Sequence, residues 1–200
     1  MTDQRYEYLL QGSVSEDVLP QLVTRLRCIT DQTFEGGNDI LVHERIYMLK
    51  GTGSASVTVY CRRSLQEDPP VFELRYLGVP ETTTGQSGQG QGSARKPVSM
   101  RSCAISSVDS NCFKFLEDLG FRKCNEHVLK GYYFLKNNVG VSVVQVYTLD
   151  AAGKQSAAPV SASSLVTARL IAGSGSVSAI DLLWSVADML KPLVALAKAS

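Results

Sequence analysis

The sequence predicts an α+β fold that is mostly β: a large antiparallel sheet of roughly eight strands that curls or closes into a β-barrel, with about three flanking helices. Two observations support this fold class. Most extended segments alternate apolar and polar residues with a period of two, and few helical crossovers separate them. A large antiparallel sheet leaves exposed edges, which closure removes. We expect one domain over residues 1–200, because a 44% hydrophobic composition can bury a sizeable core.

The first part of the chain predicts one helix between extended segments. Alternation at Tyr6–Gly12 indicates a strand. Apolar residues at helical spacing over Leu19–Ile29 indicate a helix, with Asp17 as its cap and Pro20 in its first turn. Three consecutive antiparallel strands are then expected at Leu41–Lys50, Ser56–Arg63 and Val71–Leu77.

The middle of the chain predicts a strand followed by a short helix. Val98–Ile105 is expected to be extended, and a helix over Asp109–Leu119 is expected to be capped by Asp109 or Ser110. Gly120 follows directly, and glycine suits the left-handed position that ends many helices.

The strongest hairpin signal comes next. Val128–Lys136 and Val139–Leu149 are separated by Asn137 and Asn138, which tolerate the positive φ angles of a tight turn. A last strand is expected at Ser164–Ile171. These segments complete the set of strands that the sheet requires.

Two segments are expected to lie outside the regular elements. The stretch 80–97 is rich in Gly and Gln and lacks large apolar side chains, so it predicts a flexible loop. The stretch 151–162 is rich in Ala and Ser and predicts a linker.

The C-terminal helix is expected to begin in a capping box formed by Ser178 and Asp181 and to end before Pro192. It has apolar residues on more than one side. Either the helix is sunk deeply against the barrel, or one apolar stripe contacts a partner protein. The predicted partner-binding residues on that second stripe are Leu182, Val186 and Met189.

Composition excludes several classes of function. The 20 Lys and Arg residues against 19 Asp and Glu leave no basic excess, so no direct nucleic-acid partner is expected. The five cysteines form no CxxC pair, and we expect no zinc site, disulfide framework or cofactor. The N-terminus lacks a signal-peptide pattern and no apolar run approaches the roughly 20 residues that span a bilayer, so we expect no membrane partner and a reducing compartment.

Six stretches, in their order and spacing, resemble the family of Mediator subunit 18. They are EYLLQGSV at Glu7–Val14, MLKG at Met48–Gly51, LRYLG at Leu74–Gly78, FLEDLGFR at Phe115–Arg122, HVLKGYYFLK at His127–Lys136 and LKPLV at Leu190–Val194. The resemblance covers almost the whole chain. The chain departs from the family in its Gly- and Gln-rich loop and in its short tail after LKPLV.

This resemblance implies a β-barrel with flanking helices and a non-catalytic role. It implies a heterodimer with Mediator subunit 20, docking of the C-terminal helix of Mediator subunit 8, and contacts with other head-module subunits. The implied function is that of a nuclear coactivator scaffold that links transcription regulators to RNA polymerase II through protein–protein binding.

The alternative is a triphosphate-binding or tunnel-phosphatase-like barrel, since the family's barrel is similar to that of the tunnel triphosphatases. Those enzymes carry an ExExK pattern on the first strand, whereas this chain has Glu7, Leu9 and Gln11 at the three positions. We therefore expect no catalytic residue, and Glu7 is expected to be solvated or paired.

Further charges recur within the predicted strands and leave two interpretations. They could line an anion pocket inside the barrel, or they could face solvent, with Arg75 paired to a carboxylate on a neighbouring strand. The charges are His43, Arg45, Arg62, Arg63, Glu73 and Arg75.

A nucleophile or metal pair could be imagined at His127 and Cys124, with Cys112 nearby in sequence. The pattern supplies no third group to orient a base or complete a coordination shell. A packed cysteine and a surface or hydrogen-bonded histidine are favoured instead.

Overall fold

Eight antiparallel strands close into a barrel in the computed structural model, which describes residues 4–30, 38–51, 56–81, 96–150 and 153–199. The strand order around the barrel is β1-β5-β4-β3-β2-β6-β7-β8. Three helices accompany the barrel in these ranges, so the predicted fold class is confirmed. The elements are β1 Arg5–Val14, α1 Leu19–Ile29, β2 Asn38–Lys50, β3 Ser56–Ser64, β4 Phe72–Leu77, β5 Ser99–Val108, α2 Cys112–Asp118, β6 Arg122–Lys136, β7 Val139–Thr148, β8 Ser164–Gly173 and α3 Val177–Leu190.

The predicted hairpin joins β6 to β7. Asn137 and Asn138 both adopt positive φ angles, 49° and 64°, as the sequence indicated. Strand β6 begins at Arg122 and not at the predicted Val128, because its first residues pair with the far end of β2, where Met48 lies opposite Arg122. The long pairing between β2 and β6 thus extends the barrel wall beyond the apolar run.

The main apolar core lies outside the barrel, between its wall and two helices. Tyr8 and Leu10 project outward from β1 and are fully buried. They pack in one cluster with Leu26 of α1 and with Leu183 and Leu190 of α3. Burial of each such side chain contributes roughly 1.5–3 kcal/mol. The helices therefore hold the sheet through its outer face.

A second apolar cluster lies beneath α2. Cys61 and Phe72 from the outer face of β3 and β4 pack there with Leu116 and Phe121. Gly120 has a φ of +90° and ends α2 in the predicted left-handed conformation. The backbone N–H of Phe121 then donates to the carbonyl of Leu116, which returns the Phe121 ring to the cluster.

The helix starts differ from the predicted caps. Helix α1 has Val18 at its N-cap with no side-chain bond, because the chain turns at Ser15 and Asp17 lies within that turn. Helix α3 starts at Val177, where the Ser176 hydroxyl accepts from the backbone N–H of Ala179, and so Ser178 lies inside the helix. The predicted end before Pro192 is confirmed.

Helix α2 also begins later than expected. Its N-cap is Asn111, with no side-chain capping bond, and neither Asp109 nor Ser110 caps it. The Asp109 carboxylate instead accepts from the backbone N–H of Asn111 and shapes the turn before the helix.

The C-terminal tail completes the barrel seam between β1 and β5. The pairing of these strands ends where Leu9 lies opposite Ser99. Beyond that point Gln11 exchanges two backbone hydrogen bonds with Ala197, at 2.8 and 2.9 Å. The Ser99 hydroxyl donates to the carbonyl of Ala199 at 2.8 Å. The tail therefore supplies backbone partners that β5 does not reach.

Two predicted irregular segments are only partly described. Residues 82–95 of the expected loop at 80–97 lie outside the described residues, and Glu81 forms a bridge with Met100. Residues 153–162 of the expected linker run beside β7, where the backbone N–H of Val160 donates to the carbonyl of Val146. Among the described residues, none of the helices combines the length and the apolar character needed to cross a bilayer.

Replacement of Gly12 by Ala is expected to displace the tail. A Cβ atom at Gly12 would lie 2.5 Å from the carbonyl oxygen of Ala195, which is too close for any side chain. We expect the free energy of unfolding to fall by about 1–3 kcal/mol, measured by urea denaturation. Gly173→Ala is the control: nothing lies within 4 Å of its added Cβ, and its effect should stay within about 0.5 kcal/mol. Equal effects of the two changes would contradict the role of the tail.

Candidate functional site

The barrel interior is the candidate functional site. Alternate residues of the strands point inward and line a cavity of about 620 Å³. On β1 these residues are Glu7, Leu9 and Gln11, which confirms that they share one face. Their neighbours Tyr8 and Leu10 point outward into the main core. The period of two thus separates an apolar outer face from a mixed inner face.

The lining has two chemically different walls. One wall is charged and is formed mainly by β1, β3, β4 and β5, with one arginine from β8. The other is largely apolar and is formed by β2, β6, β7 and the start of β8. The charged wall holds Glu7, Arg62, Glu73, Arg75, Arg101 and Arg169, and the apolar wall holds Ile40, Val42, Leu129, Val144, Val146 and Leu165.

Glu7 is the centre of the charged wall. It is 2% exposed, and its two carboxylate oxygens accept from Arg75 Nη2 at 2.9 Å and from Arg101 Nε at 2.8 Å. Arg169 Nη1 lies 3.9 Å from the same carboxylate. Burial would raise the pKa of Glu7, but Arg101 and Arg75 outweigh this effect and lower the pKa below its usual value. The carboxylate is therefore held ionised among three guanidinium groups.

Arg75 is the most deeply buried cation of the site. Its side chain is 3% exposed, and its Nε atom is buried without a hydrogen bond, 3.6 Å from a Glu73 oxygen. Burial, followed by repulsion from Arg62 and Arg169, lowers the pKa of Arg75 to about 10. The positive charge of this part of the interior thus exceeds what Glu7 and Glu73 compensate.

A second charged cluster forms around Glu44 of β2. The Glu44 carboxylate accepts a hydrogen bond from Arg62 Nε, and His127 Nε2 lies 3.2 Å from its other oxygen. Burial would raise the pKa of Glu44, but the bonds from His127 and Arg62 prevail and lower it to about 2. The cluster links three adjacent strands, β3, β2 and β6.

The charges that left two interpretations open divide between the two faces. Arg62, Glu73 and Arg75 point into the barrel, so the solvent-facing interpretation is wrong for these three, because the inner face is not filled by apolar side chains. The predicted cross-strand pairing of Arg75 is confirmed, as is the paired state of Glu7. His43 and Arg45 lie on the outer face, where both contact Glu126.

The sequence did not single out Glu44, Arg101 or Arg169 as site residues. Their inward direction could have been read from alternation, since Arg101 lies opposite Glu7 and Arg169 lies opposite Leu9. That step requires the register between strands that are distant in sequence, which alternation alone does not provide.

The first strand lacks the chemistry of a metal-dependent phosphatase. Leu9 and Gln11 line the cavity at the positions where the ExExK pattern places its second acid and its lysine. Glu7 has its oxygens occupied by arginines and is not available to a metal ion. The described residues contain no group of three or more His, Cys, Asp and Glu side chains that could hold a metal ion.

The imagined nucleophile or metal pair does not assemble. His127 contacts Glu44 inside the barrel, whereas the exposed Cys124 donates to the carbonyl of Ile46. Cys112 is buried and lies 3.1 Å, sulfur to sulfur, from Cys61. The expectation of a packed cysteine is thus met by Cys112 and is wrong for the exposed Cys124, and the histidine is hydrogen-bonded.

The three predicted partner-binding residues occupy different environments on α3. Val186 is 1% exposed and lies in the main core, while Leu182 is partly buried and packs against that core. Met189 is 41% exposed. Most of α3 fits the interpretation of a helix sunk against the barrel. Its buried residues are Ala179, Leu183, Val186, Ala187 and Leu190.

Replacement of Glu44 by Gln is expected to lower the free energy of unfolding by about 3 kcal/mol at neutral pH, because it removes the counter-charge of Arg62. A carboxyl whose pKa falls from 4.5 to about 2 on folding stabilises the fold above pH 4.5, and this contribution disappears as the pH falls towards 2. The difference between wild type and variant should therefore shrink on acidification. Urea unfolding between neutral pH and about pH 2.5 measures it.

The matched control is Glu117→Gln, the same change at an exposed position of α2. It should alter stability by less than about 0.5 kcal/mol at every pH. A Glu44→Gln difference that does not change with pH would contradict the assigned charge state.

Comparisons of the sequence with known proteins identify a family. Residues 6–199 match the family described as Med18 protein. The chain is 33% identical over 197 residues to Mediator of RNA polymerase II transcription subunit 18 of Xenopus tropicalis, covering 96% of this chain and 88% of that protein. The protein of the same name from Danio rerio is 33% identical over 193 residues, with the same coverage.

Solved structures give the same fold. A chain in the structure of the Schizosaccharomyces pombe Mediator head module aligns with a TM-score of 0.67 and 13% identity, covering 97% of this chain and 98% of that chain. The PH1819 protein from Pyrococcus horikoshii aligns with a TM-score of 0.58 over 97% of this chain and 94% of that one. The family match along nearly the full length and the relatives above 30% identity lead to one conclusion: the chain belongs to the Med18 family.

Proposed function

We propose that this chain is a non-catalytic subunit of the Mediator head module, a nuclear coactivator scaffold that links transcription regulators to RNA polymerase II. The observation that carries this proposal is the family match over residues 6–199, which spans every strand and helix except the first residue of β1. The relatives carry the name of a Mediator subunit, and the chain covers 88% of their length. A function that depends on the whole barrel is therefore supported.

The chemistry of the interior supports a binding role and not catalysis. Each deeply buried carboxylate of the cavity, Glu7 and Glu44, is neutralised by arginine. Catalysis of phosphoryl transfer by a tunnel enzyme needs carboxylates that hold a divalent metal ion. Here those positions carry an apolar side chain at Leu9 and an occupied carboxylate at Glu7.

The proposed partners are Mediator subunit 20, as the second half of a heterodimer, and the C-terminal helix of Mediator subunit 8. Other head-module subunits and RNA polymerase II complete the set. These assignments rest on the resemblance of the six sequence stretches to the family. The structural neighbour from the Schizosaccharomyces pombe head module is consistent with this context through its fold.

On α3, the proposed contact surface centres on Met189, with Leu182 at its edge. Met189 is exposed, whereas Val186 is buried in the main core and contributes by holding the helix in place. Charged side chains lie next to this surface. Asp188 contacts Lys96 and Lys191, and the Lys96 ammonium lies 5.2 Å from the centre of the Trp184 ring. A partner would therefore meet Met189, with Leu182 beside it, inside a charged rim, and an apolar centre with a polar rim is the usual arrangement of protein interfaces.

The test is co-purification of tagged full-length chain from nuclear extract, with mass spectrometry of the recovered proteins. Wild type should recover other Mediator subunits, including subunits 20 and 8. Met189→Glu should reduce recovery of the partner that contacts α3 at least about tenfold, because a charge in an apolar contact remains desolvated and unpaired. Recovery of no Mediator subunit by wild type would contradict the proposed function.

Two variants separate contact from folding. Ser178→Glu adds the same charge to an exposed position about 16 Å away along α3 and should retain all partners. Val186→Glu places a charge in the core and should unfold the protein, seen as loss of the thermal transition. A large loss of stability in Met189→Glu would show that this side chain acts in folding and not in binding.

A further inference from the structure

The cavity inside the barrel has an apolar wall that the paired charges do not explain. Val42 lies opposite Leu129 across β2 and β6, and Leu129 lies opposite Val146 across β6 and β7. Val144 lies opposite Leu165. All five side chains line the same cavity of about 620 Å³. Cavities of this size and mixed lining are typical of small-molecule sites.

The charged wall faces this apolar surface with unequal charges near Glu7. Three guanidinium groups, Arg75, Arg101 and Arg169, surround Glu7, and Glu73 is the only other carboxylate near Arg75 in the described lining. Glu44 is already occupied by Arg62 and His127, and Glu67 is an exposed lining residue. The Glu7 cluster therefore retains about one positive charge.

Arg169 has unused hydrogen-bonding capacity. Its contact with Glu7 is 3.9 Å long, which is beyond a hydrogen bond, and its side chain is 30% exposed. Arg101 is likewise 26% exposed, although it bonds Glu7. Arg75 contributes a buried Nε with no hydrogen bond. Guanidinium donors in this geometry suit the oxygens of a carboxylate or a phosphate group.

We propose that the barrel interior binds a small organic anion, whose carboxylate or phosphate head lies on Arg169 and Arg101 and whose apolar body packs on Val42, Leu129 and Val144. The apolar wall favours this ligand over inorganic phosphate, because inorganic phosphate has no apolar part and would leave those side chains in contact with water. The negative charge of the head group compensates the excess positive charge of the Glu7 cluster. No bond is made or broken, so the site is a binding site.

Calorimetric titration of the purified full-length chain tests this proposal at constant ionic strength, with hexyl phosphate, hexanoate, orthophosphate and 1-hexanol as probes. At least one of the two hexyl anions should bind at least about tenfold more tightly than either orthophosphate or hexanol, since only the anions engage both walls. The relative affinities of hexyl phosphate and hexanoate identify the preferred head group. Absence of heat above buffer for both hexyl anions at millimolar concentration would overturn the proposal.

Arg169→Gln should weaken the preferred anion at least about tenfold, because it removes a charged donor without breaking a hydrogen bond of the fold. Arg63→Gln is the matched control: it makes the same charge change on the outer face of the barrel, where Arg63 lies 5.9 Å from the Phe72 ring centre. Affinity should be unchanged in this control. Equal weakening in both variants would reveal non-specific attraction and overturn the site.

The location of the ligand has an independent measurement. Intermolecular NOEs from the hexyl chain should reach the methyl groups of Val42 and Val144. They should be missing for Val143, which is buried in the main apolar core outside the barrel. NOEs to outer-face methyl groups alone would overturn the interior site. Co-purification of Mediator subunits measures a different surface, so the outcome of either experiment leaves the other informative.

Discussion

The buried carboxylate of Glu7 is the constraint on which the barrel depends. It lies on β1 and contacts arginines of β4, β5 and β8, so one charge joins four consecutive strands across the seam of the barrel. Glu44 does the same for β3, β2 and β6. Together the two clusters include seven of the eight strands. A buried ion pair gives little net stability but penalises any register that separates its members, which makes it a device for specificity.

This constraint explains why the apolar core lies outside the barrel. An inner face that carries paired charges around a cavity supplies little of the hydrophobic burial that folding requires. The strands therefore direct Tyr8 and Leu10 outward, and α1 and α3 cover them. Most apolar residues of α3 serve this purpose, which leaves Val177 at the start of the helix and Met189 near its end as its exposed large apolar side chains. Helix α3 is thus apolar on more than one side largely because it is deeply buried.

The sequence predicts much of the fold because the informative signals are local. Alternation within each strand, the two asparagines of the β6–β7 hairpin, and Gly120 after α2 each act over a few residues. The helix starts were missed because capping is decided by which side chain reaches a backbone N–H, and Ser176 and Ser178 differ little in sequence terms. The candidate site was predicted only in part. Its charges were recognised on three strands, but their inward direction and the roles of Arg101 and Arg169 depend on pairing between distant strands.

The barrel interior contains a feature that a scaffold does not require. The loss of the ExExK pattern at Leu9 and Gln11 removes metal chemistry, and the two ion clusters account for the closure of the wall. Neither the changed first-strand pattern nor the two ion clusters explain the cavity between the charged wall and the apolar wall. A core selected only for stability would fill such a space with side chains, since solvent beside Val42 and Leu129 leaves their apolar surface unburied. Guanidinium donors beside an apolar wall are the features of a pocket, so the proposed ligand site inside the barrel and the proposed contact surface on α3 are separate places on the molecule.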